Sequence, residues 1–163
     1  MQMRDEPLYS FPARLESLGA MAALLQSISP ACENTTLLRA ETALEELLTN
    51  SIVHGQAAKR PSASIWLAAY GQDDMLHVRY EDALAAFDPI TRIDEALLRT
   101  TDLMERRPPG GLGLLMVFRL ADAFRYRHEN GRNRIDLAFT GRAMASSPVT
   151  TGQARPSSID LGS

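Results

Sequence analysis

The stretch Glu41–Gly55 constrains this chain more than any other. Leu37, Leu44, Leu48 and Ile52 recur at helical spacing and make one apolar stripe. Glu46 and Asn50 lie roughly opposite that stripe, four residues apart, one turn above the other on a single face. A carboxylate placed there can take a proton or hold a water. The amide oxygen can join the oxygen shell of Mg²⁺. Taken alone, the pair is also what a solvated helix face looks like, so its meaning depends on the rest of the chain.

Around this helix the pattern changes period. Leu8–Ala13 alternates as a short strand, with Pro12 marking an edge or an end. Leu15–Ile28 has its apolar residues at helical intervals and ends at Ser29-Pro30. Asn34-Thr35-Thr36 offers caps for the helix carrying Glu46 and Asn50. Ser62–Tyr70 is rich in β-formers, Gly71–Asp74 reads as a turn, and Met75–Asp82 as a second strand. Asp82 shares the parity of Leu76, Val78 and Tyr80, so it is expected to point inward, where a carboxylate needs a partner or a ligand. Ala83–Pro109 is irregular. Gly110-Gly111-Leu112-Gly113 then opens a helix, an arrangement that lets backbone amides approach an anion. Phe124–His128 and Ile135–Phe139 are two further strands, with the hairpin signal Asn130-Gly131 between them. Trp66 is expected in a strand core or interface, His77 and His128 on strand surfaces, and Asp122 as a solvated helix charge.

Totals narrow the function classes. With 163 residues, 45% hydrophobic and 23% charged, the chain is expected to form one globular domain over residues 1–141. Residues 142–163 are rich in Ser, Thr, Gly and Pro and are expected to be a disordered tail. A net charge of -3 without a basic run argues against nucleic-acid binding. No apolar run is long enough to span a bilayer, and no signal peptide is visible. Cys32 is the only cysteine, which excludes an intrachain disulfide and fits a reducing cytoplasm.

The motifs resemble, in order and spacing, those of the GHKL ATPases, and most closely the anti-sigma serine kinases of bacterial partner-switching systems. Phe11-Pro-Ala-Arg14 resembles that family's opening strand, and Glu46-Leu-Leu-Thr-Asn50 followed by Ser51–Gly55 resembles its N box. Asp82–Pro89 resembles its Asp-x-Gly-x-x-Phe-Asp-Pro box, and Gly110–Leu114 with Asp122 and Asn133 its glycine box and the strands beyond. The resemblance runs from about Leu8 to Phe139. It implies ATP as cofactor, with Asn50 holding Mg²⁺ between the phosphates. It further implies that Glu46 receives the proton of a protein serine and that Asp82 accepts from the adenine amino group. Gly110, Gly111, Leu112 and Gly113 would form the loop closing on the phosphates. Phosphoryl transfer asks mainly for positioning and charge neutralisation, so these groups suffice for it. The chain departs from the pattern at Leu84, where the family has glycine: leucine there either packs on the base or crowds it.

The expected fold is therefore an α/β (α+β) two-layer sandwich: a mixed, mostly antiparallel sheet with helices on one face and ATP between helix and sheet. The expected function is an anti-sigma factor with serine kinase activity. It binds a sigma factor, phosphorylates a STAS-class anti-anti-sigma protein and acts as a homodimer. The alternative is a degenerate GHKL module that clamps a partner without turning over ATP. A sensor histidine kinase is disfavoured because no phosphoacceptor histidine sits on a long helix before the domain.

Overall fold

The computed structural model describes residues 6–29, 32–54, 59, 60, 62–86, 89 and 112–141. The elements are β1 (Tyr9–Pro12), a 3₁₀ turn (Leu15–Ser17), α1 (Leu18–Ile28), α2 (Asn34–Val53), β2 (Ser64–Gln72), β3 (Met75–Asp82), α3 (Leu112–Leu120), β4 (Ala123–Glu129) and β5 (Arg132–Thr140). The strands form one sheet in the order β1-β2-β3-β5-β4. Every described pairing is antiparallel, where the sequence suggested some mixing.

Strand alternation splits the sheet into two faces. On one face Ile65 and Leu67 of β2, Leu76, Val78 and Tyr80 of β3, and Ile135, Leu137 and Phe139 of β5 join Leu44, Leu47 and Leu48 of α2 in one buried cluster. Met21 and Leu25 of α1 and Leu114, Leu115 and Val117 of α3 complete it, so these three described helices cover the same face. The molecule is the expected two-layer α+β sandwich. The buried side of α2 is centred on Ala40, Ala43, Leu44, Leu47, Leu48 and Ser51. Leu37 and Ile52, which the sequence put in the same stripe as Leu44 and Leu48, are only partly buried at its margin. No helix among the described residues is long and apolar enough to cross a membrane.

Local chemistry corrects three boundaries. Leu15–Ser17 is a 3₁₀ turn before α1, and the Ser17 hydroxyl donates to the Pro12 carbonyl at 2.7 Å. α2 begins at Asn34 with Glu33 as its N-cap and no side-chain capping bond. Thr36, expected as a cap, instead donates to the Thr140 carbonyl at 3.3 Å and ties α2 to the end of β5. The β2–β3 turn is shorter than Gly71–Asp74. Gly71 and Gln72 stay in β2, while Asp73 and Asp74 take positive φ of 52° and 59°. Aspartate tolerates that region better than most residues, and two such residues match the twist of a tight hairpin. Asn130 and Gly131, at φ 55° and 72°, do the same for β4–β5, as their sequence predicts.

One guanidinium fixes α3 to the rest of the layer. Arg39 of α2 donates from Nε and Nη2 to the Leu120 carbonyl at 3.0 and 2.5 Å, and from Nη1 to the Thr140 carbonyl at 3.0 Å. It thereby satisfies a carbonyl that the last turn of α3 leaves open. Asp122 completes the clasp. It is no solvated helix charge: it follows α3 and accepts from Arg39 Nη2 at 2.9 Å and from the Thr140 N–H at 2.7 Å.

Candidate functional site

Two groups of side chains meet at the C-terminal half of α2. The first faces α3. A methyl group added at Gly113 would overlap Glu46 Oε2 and come within 3.6 Å of Asn50 Nδ2. The missing side chain at the second residue of α3 is thus what admits the Glu46 carboxylate. Asn50 Nδ2 is buried and has no hydrogen-bond partner among the described residues. A buried amide hydrogen without a partner costs roughly 1–3 kcal/mol, so it marks a place where a further group belongs.

The second group lies one residue further on, toward the sheet. Ser51 Oγ donates to Asp82 Oδ2 at 2.7 Å. A carboxylate only accepts, and serine has one hydroxyl proton, so the 2.8 Å contact of Ser51 Oγ with Tyr80 Oη is donated by the tyrosine. Burial raises the Tyr80 pKa strongly and the nearby Asp82 charge raises it further, while the Ser51 hydrogen bond works the other way. The phenol therefore keeps its proton as a donor. Asp82, 2% exposed, points inward as its parity predicts. Its Oδ1 accepts from Asn133 Nδ2 at 2.7 Å and from the Leu84 N–H at 3.1 Å. Asn133 Nδ2 also donates to the Ala85 carbonyl at 3.1 Å, and Tyr126 Oη donates to Asn133 Oδ1 at 2.9 Å.

Leu84 meets Asp82 through its backbone. The residue is 8% exposed and lines a groove of about 300 Å³ with Ser64 and Trp66. Those two alternate with the inward-facing Ile65 and so belong to the outer face of the sheet. Trp66 is half-buried there, and the Arg132 guanidinium lies 3.8 Å over its ring.

The sequence matches the model of the histidine kinase-like ATPase domain over residues 11–139. The chain belongs to this family. Among solved structures, it is similar to the RsbU and RsbW domains of Rv1364c from Mycobacterium tuberculosis, with a TM-score of 0.48 and 17% identity. That match covers 81% of this chain and 32% of the other, so the chain spans under half the length of that neighbour. No curated protein matches the sequence.

Within this histidine kinase-like ATPase domain, Glu46, Asn50 and Gly113 come together, and Asp82 sits beside Ser51 on the same helix turn. Leu112 is the first residue of α3 and is exposed. Gly110 and Gly111, with most of Ala83–Pro109 and the tail 142–163, lie outside the described residues. Ser51, Tyr80, Asn133 and Tyr126 were not singled out as site residues from the sequence. Asn133 carries the same signal that marks Asp82: it alternates in parity with Ile135 and Leu137, so a polar group is expected to face inward. Ser51 falls three residues after Leu48 and seven after Leu44, on the buried side of α2.

Proposed function

We propose that this domain binds Mg·ATP between α2, α3 and the end of β3, and uses it to phosphorylate a serine on a partner protein. The observation that carries the reading is the buried, unpartnered Asn50 amide beside Glu46 and Gly113. With its nitrogen inward, that amide offers a hydrogen to a phosphate oxygen. Turned over, it offers an oxygen to Mg²⁺. Among the described residues no group of three His, Cys, Asp or Glu gathers to hold a metal unaided. A magnesium ion here would take the Asn50 oxygen together with phosphate oxygens and water, as this ion does in nucleotide sites. Bound Mg²⁺ supplies charge neutralisation for phosphates. Glu46 is the group to receive the serine proton, and Asp82 the acceptor for the adenine amine.

Leu84 lines a groove with Ser64 and Trp66 on the outer face, opposite the helix-covered face where Asp82 meets Ser51, which supports a base site that leucine does not crowd. It favours nucleotide binding, which the kinase reading requires. The partner pair we infer is a sigma factor, held by the domain, and a STAS-class protein that receives the phosphate; the domain acts as a homodimer. The resemblance of the N box, aspartate box and glycine box supports this assignment.

Calorimetric titration with Mg·ATP tests the site. Wild type is expected to bind, and Asn50→Ala to bind more than tenfold more weakly with little change in stability, since the amide makes no described hydrogen bond. Glu46→Gln is expected to keep ATP affinity and lose phosphotransfer to a STAS-class serine by about 10²-fold or more. Equal ATP affinity in wild type and Asn50→Ala removes the metal role, and unchanged transfer in Glu46→Gln removes the base.

A further inference from the structure

We propose that Asn133, held by Tyr126, is a specificity-determining residue that closes one oxygen of Asp82 and so restricts the site to a base offering a single amino hydrogen. The proposal rests on the base-site reading of Asp82 given above and deepens it. An ionised carboxylate has about four acceptor positions, two on each oxygen. Asn133 Nδ2 and the Leu84 N–H fill both positions on Oδ1, at 2.7 and 3.1 Å. Ser51 Oγ fills one on Oδ2 at 2.7 Å. Counting the described residues, Asp82 has a single position left, and it is on Oδ2.

That count separates purines by chemistry. Adenine presents one outward hydrogen of its 6-amino group, which one acceptor position satisfies. Guanine presents a carbonyl oxygen at the same place, which a carboxylate repels. To bind, guanine must turn its N1–H and 2-amino hydrogens toward the carboxylate and use both oxygens side by side. With Oδ1 filled, one of those hydrogens is left buried without an acceptor, and discrimination of this kind is large.

The geometry assigns the closure to Asn133 because its amide cannot turn over without loss. Its nitrogen faces two acceptors, Asp82 Oδ1 and the Ala85 carbonyl at 3.1 Å. Its oxygen faces a donor, the Tyr126 hydroxyl at 2.9 Å. Turning it over would set its oxygen against both acceptors. Asn133 is 2% exposed, so water does not compensate. Asn133 also lies directly across from Asp82 in the β3–β5 register, which fixes its reach.

The test is the affinity of the full chain for Mg·ATP and for Mg·GTP, measured by calorimetry for wild type, Asn133→Ala and Tyr126→Phe. Wild type is expected to prefer ATP by at least a hundredfold. Asn133→Ala, which reopens a position on Oδ1, is expected to narrow that preference tenfold or more, chiefly by gaining affinity for GTP. Tyr126→Phe leaves the Asn133 amide less firmly held and is expected to narrow it two- to fivefold. A residue that merely supports the fold would weaken both nucleotides alike and leave their ratio unchanged. An unchanged ratio in Asn133→Ala overturns the proposal while Asp82 keeps its role. If Asn133→Ala does not fold, an unchanged ratio in Tyr126→Phe overturns it. Equal ATP and GTP affinity in wild type also overturns it. Absence of any adenine-nucleotide binding in wild type overturns the base-site reading along with it.

Discussion

Two aspartates are buried on opposite faces of the same β3–β5 ladder, and they are satisfied in opposite ways. Asp82, on the helix-covered face, is 2% exposed and held by a hydroxyl, an amide and a backbone N–H. Among the described residues no guanidinium or ammonium pairs with it. Asp136, on the outer face, is 1% exposed and held by three guanidiniums: Arg79 at 2.9 Å, Arg127 at 3.3 Å and Arg134 at 3.4 Å. The ladder pairs Asp82 with Asn133 and Arg79 with Asp136, three rungs away. Three cations, one each from β3, β4 and β5, surround Asp136, so its charge is compensated within the sheet. Among the described residues Asp82 meets only neutral donors, so no cation compensates its charge, which suits the ligand role proposed for it. Burial alone does not separate the two carboxylates; the charge of their partners does.

The comparison predicts different losses. Asp136→Asn leaves three arginines facing a neutral group, two of them well shielded from water. Breaking a buried ion pair typically costs about 3–5 kcal/mol, and urea unfolding is expected to show a loss near the lower figure because Arg127 is partly exposed. ATP affinity per folded molecule is expected to stay unchanged. A loss under about 1 kcal/mol would mean that these pairs behave like solvated surface bridges, and the contrast would fail. Asp82→Asn is expected to reverse the pattern. Its stability cost is about 1–3 kcal/mol, because the new amide hydrogens meet the donors of Asn133 and Leu84. ATP affinity is expected to fall well over tenfold. Unchanged ATP affinity would make Asp82 as structural as Asp136. Ser51→Ala sits lower on the scale: it orphans the buried Tyr80 hydroxyl and removes one donor from Asp82, for about 1–2 kcal/mol.

How much of this contrast the sequence holds depends on the period of each element. Parity marks Asp82 as inward because Leu76, Val78 and Tyr80 alternate beside it. Parity cannot name its partners, because they come from β5 and α2, and the β3–β5 register is set by packing rather than by any local signal. The fold was readable for the opposite reason: helical and strand periods and the Asn130-Gly131 turn are local. Glu46 and Asn50 were legible as a pair on one helix face, but their closeness to Gly113 depends on how α3 packs on α2. Asp122 was misread because Thr140 and Arg39, which hold it, lie 18 and 83 residues away in sequence. Thr36 was misread likewise: its hydroxyl serves Thr140 and not its own helix.

Asp122 gives the smallest effect and the sharpest gradation, because it mixes both kinds of partner on the surface. Burial by itself would raise its pKa, but the Thr140 N–H, the Arg39 guanidinium and the Thr140 hydroxyl outweigh that and hold the carboxyl below the ordinary aspartate range. Its side chain is 30% exposed, so solvent screens much of the Arg39 attraction. The sign follows from linkage. A carboxyl whose folded pKa lies below its unfolded value of about 3.9 contributes its full stabilisation above that value. The contribution is lost as pH falls through the folded pKa. Wild type is therefore expected to be more stable than Asp122→Asn at pH 7, with the gap closing below about pH 4. The other carboxyl groups are common to both proteins and cancel from the difference. Urea midpoints for the two proteins at steps from pH 7 to pH 3 measure it directly. Added salt separates the partners: the Arg39 share of the gap is expected to shrink with ionic strength, and the Thr140 share to persist. A gap that stays constant down to pH 3 would show that the charge on Asp122 does nothing for stability and that Thr140 alone holds the clasp.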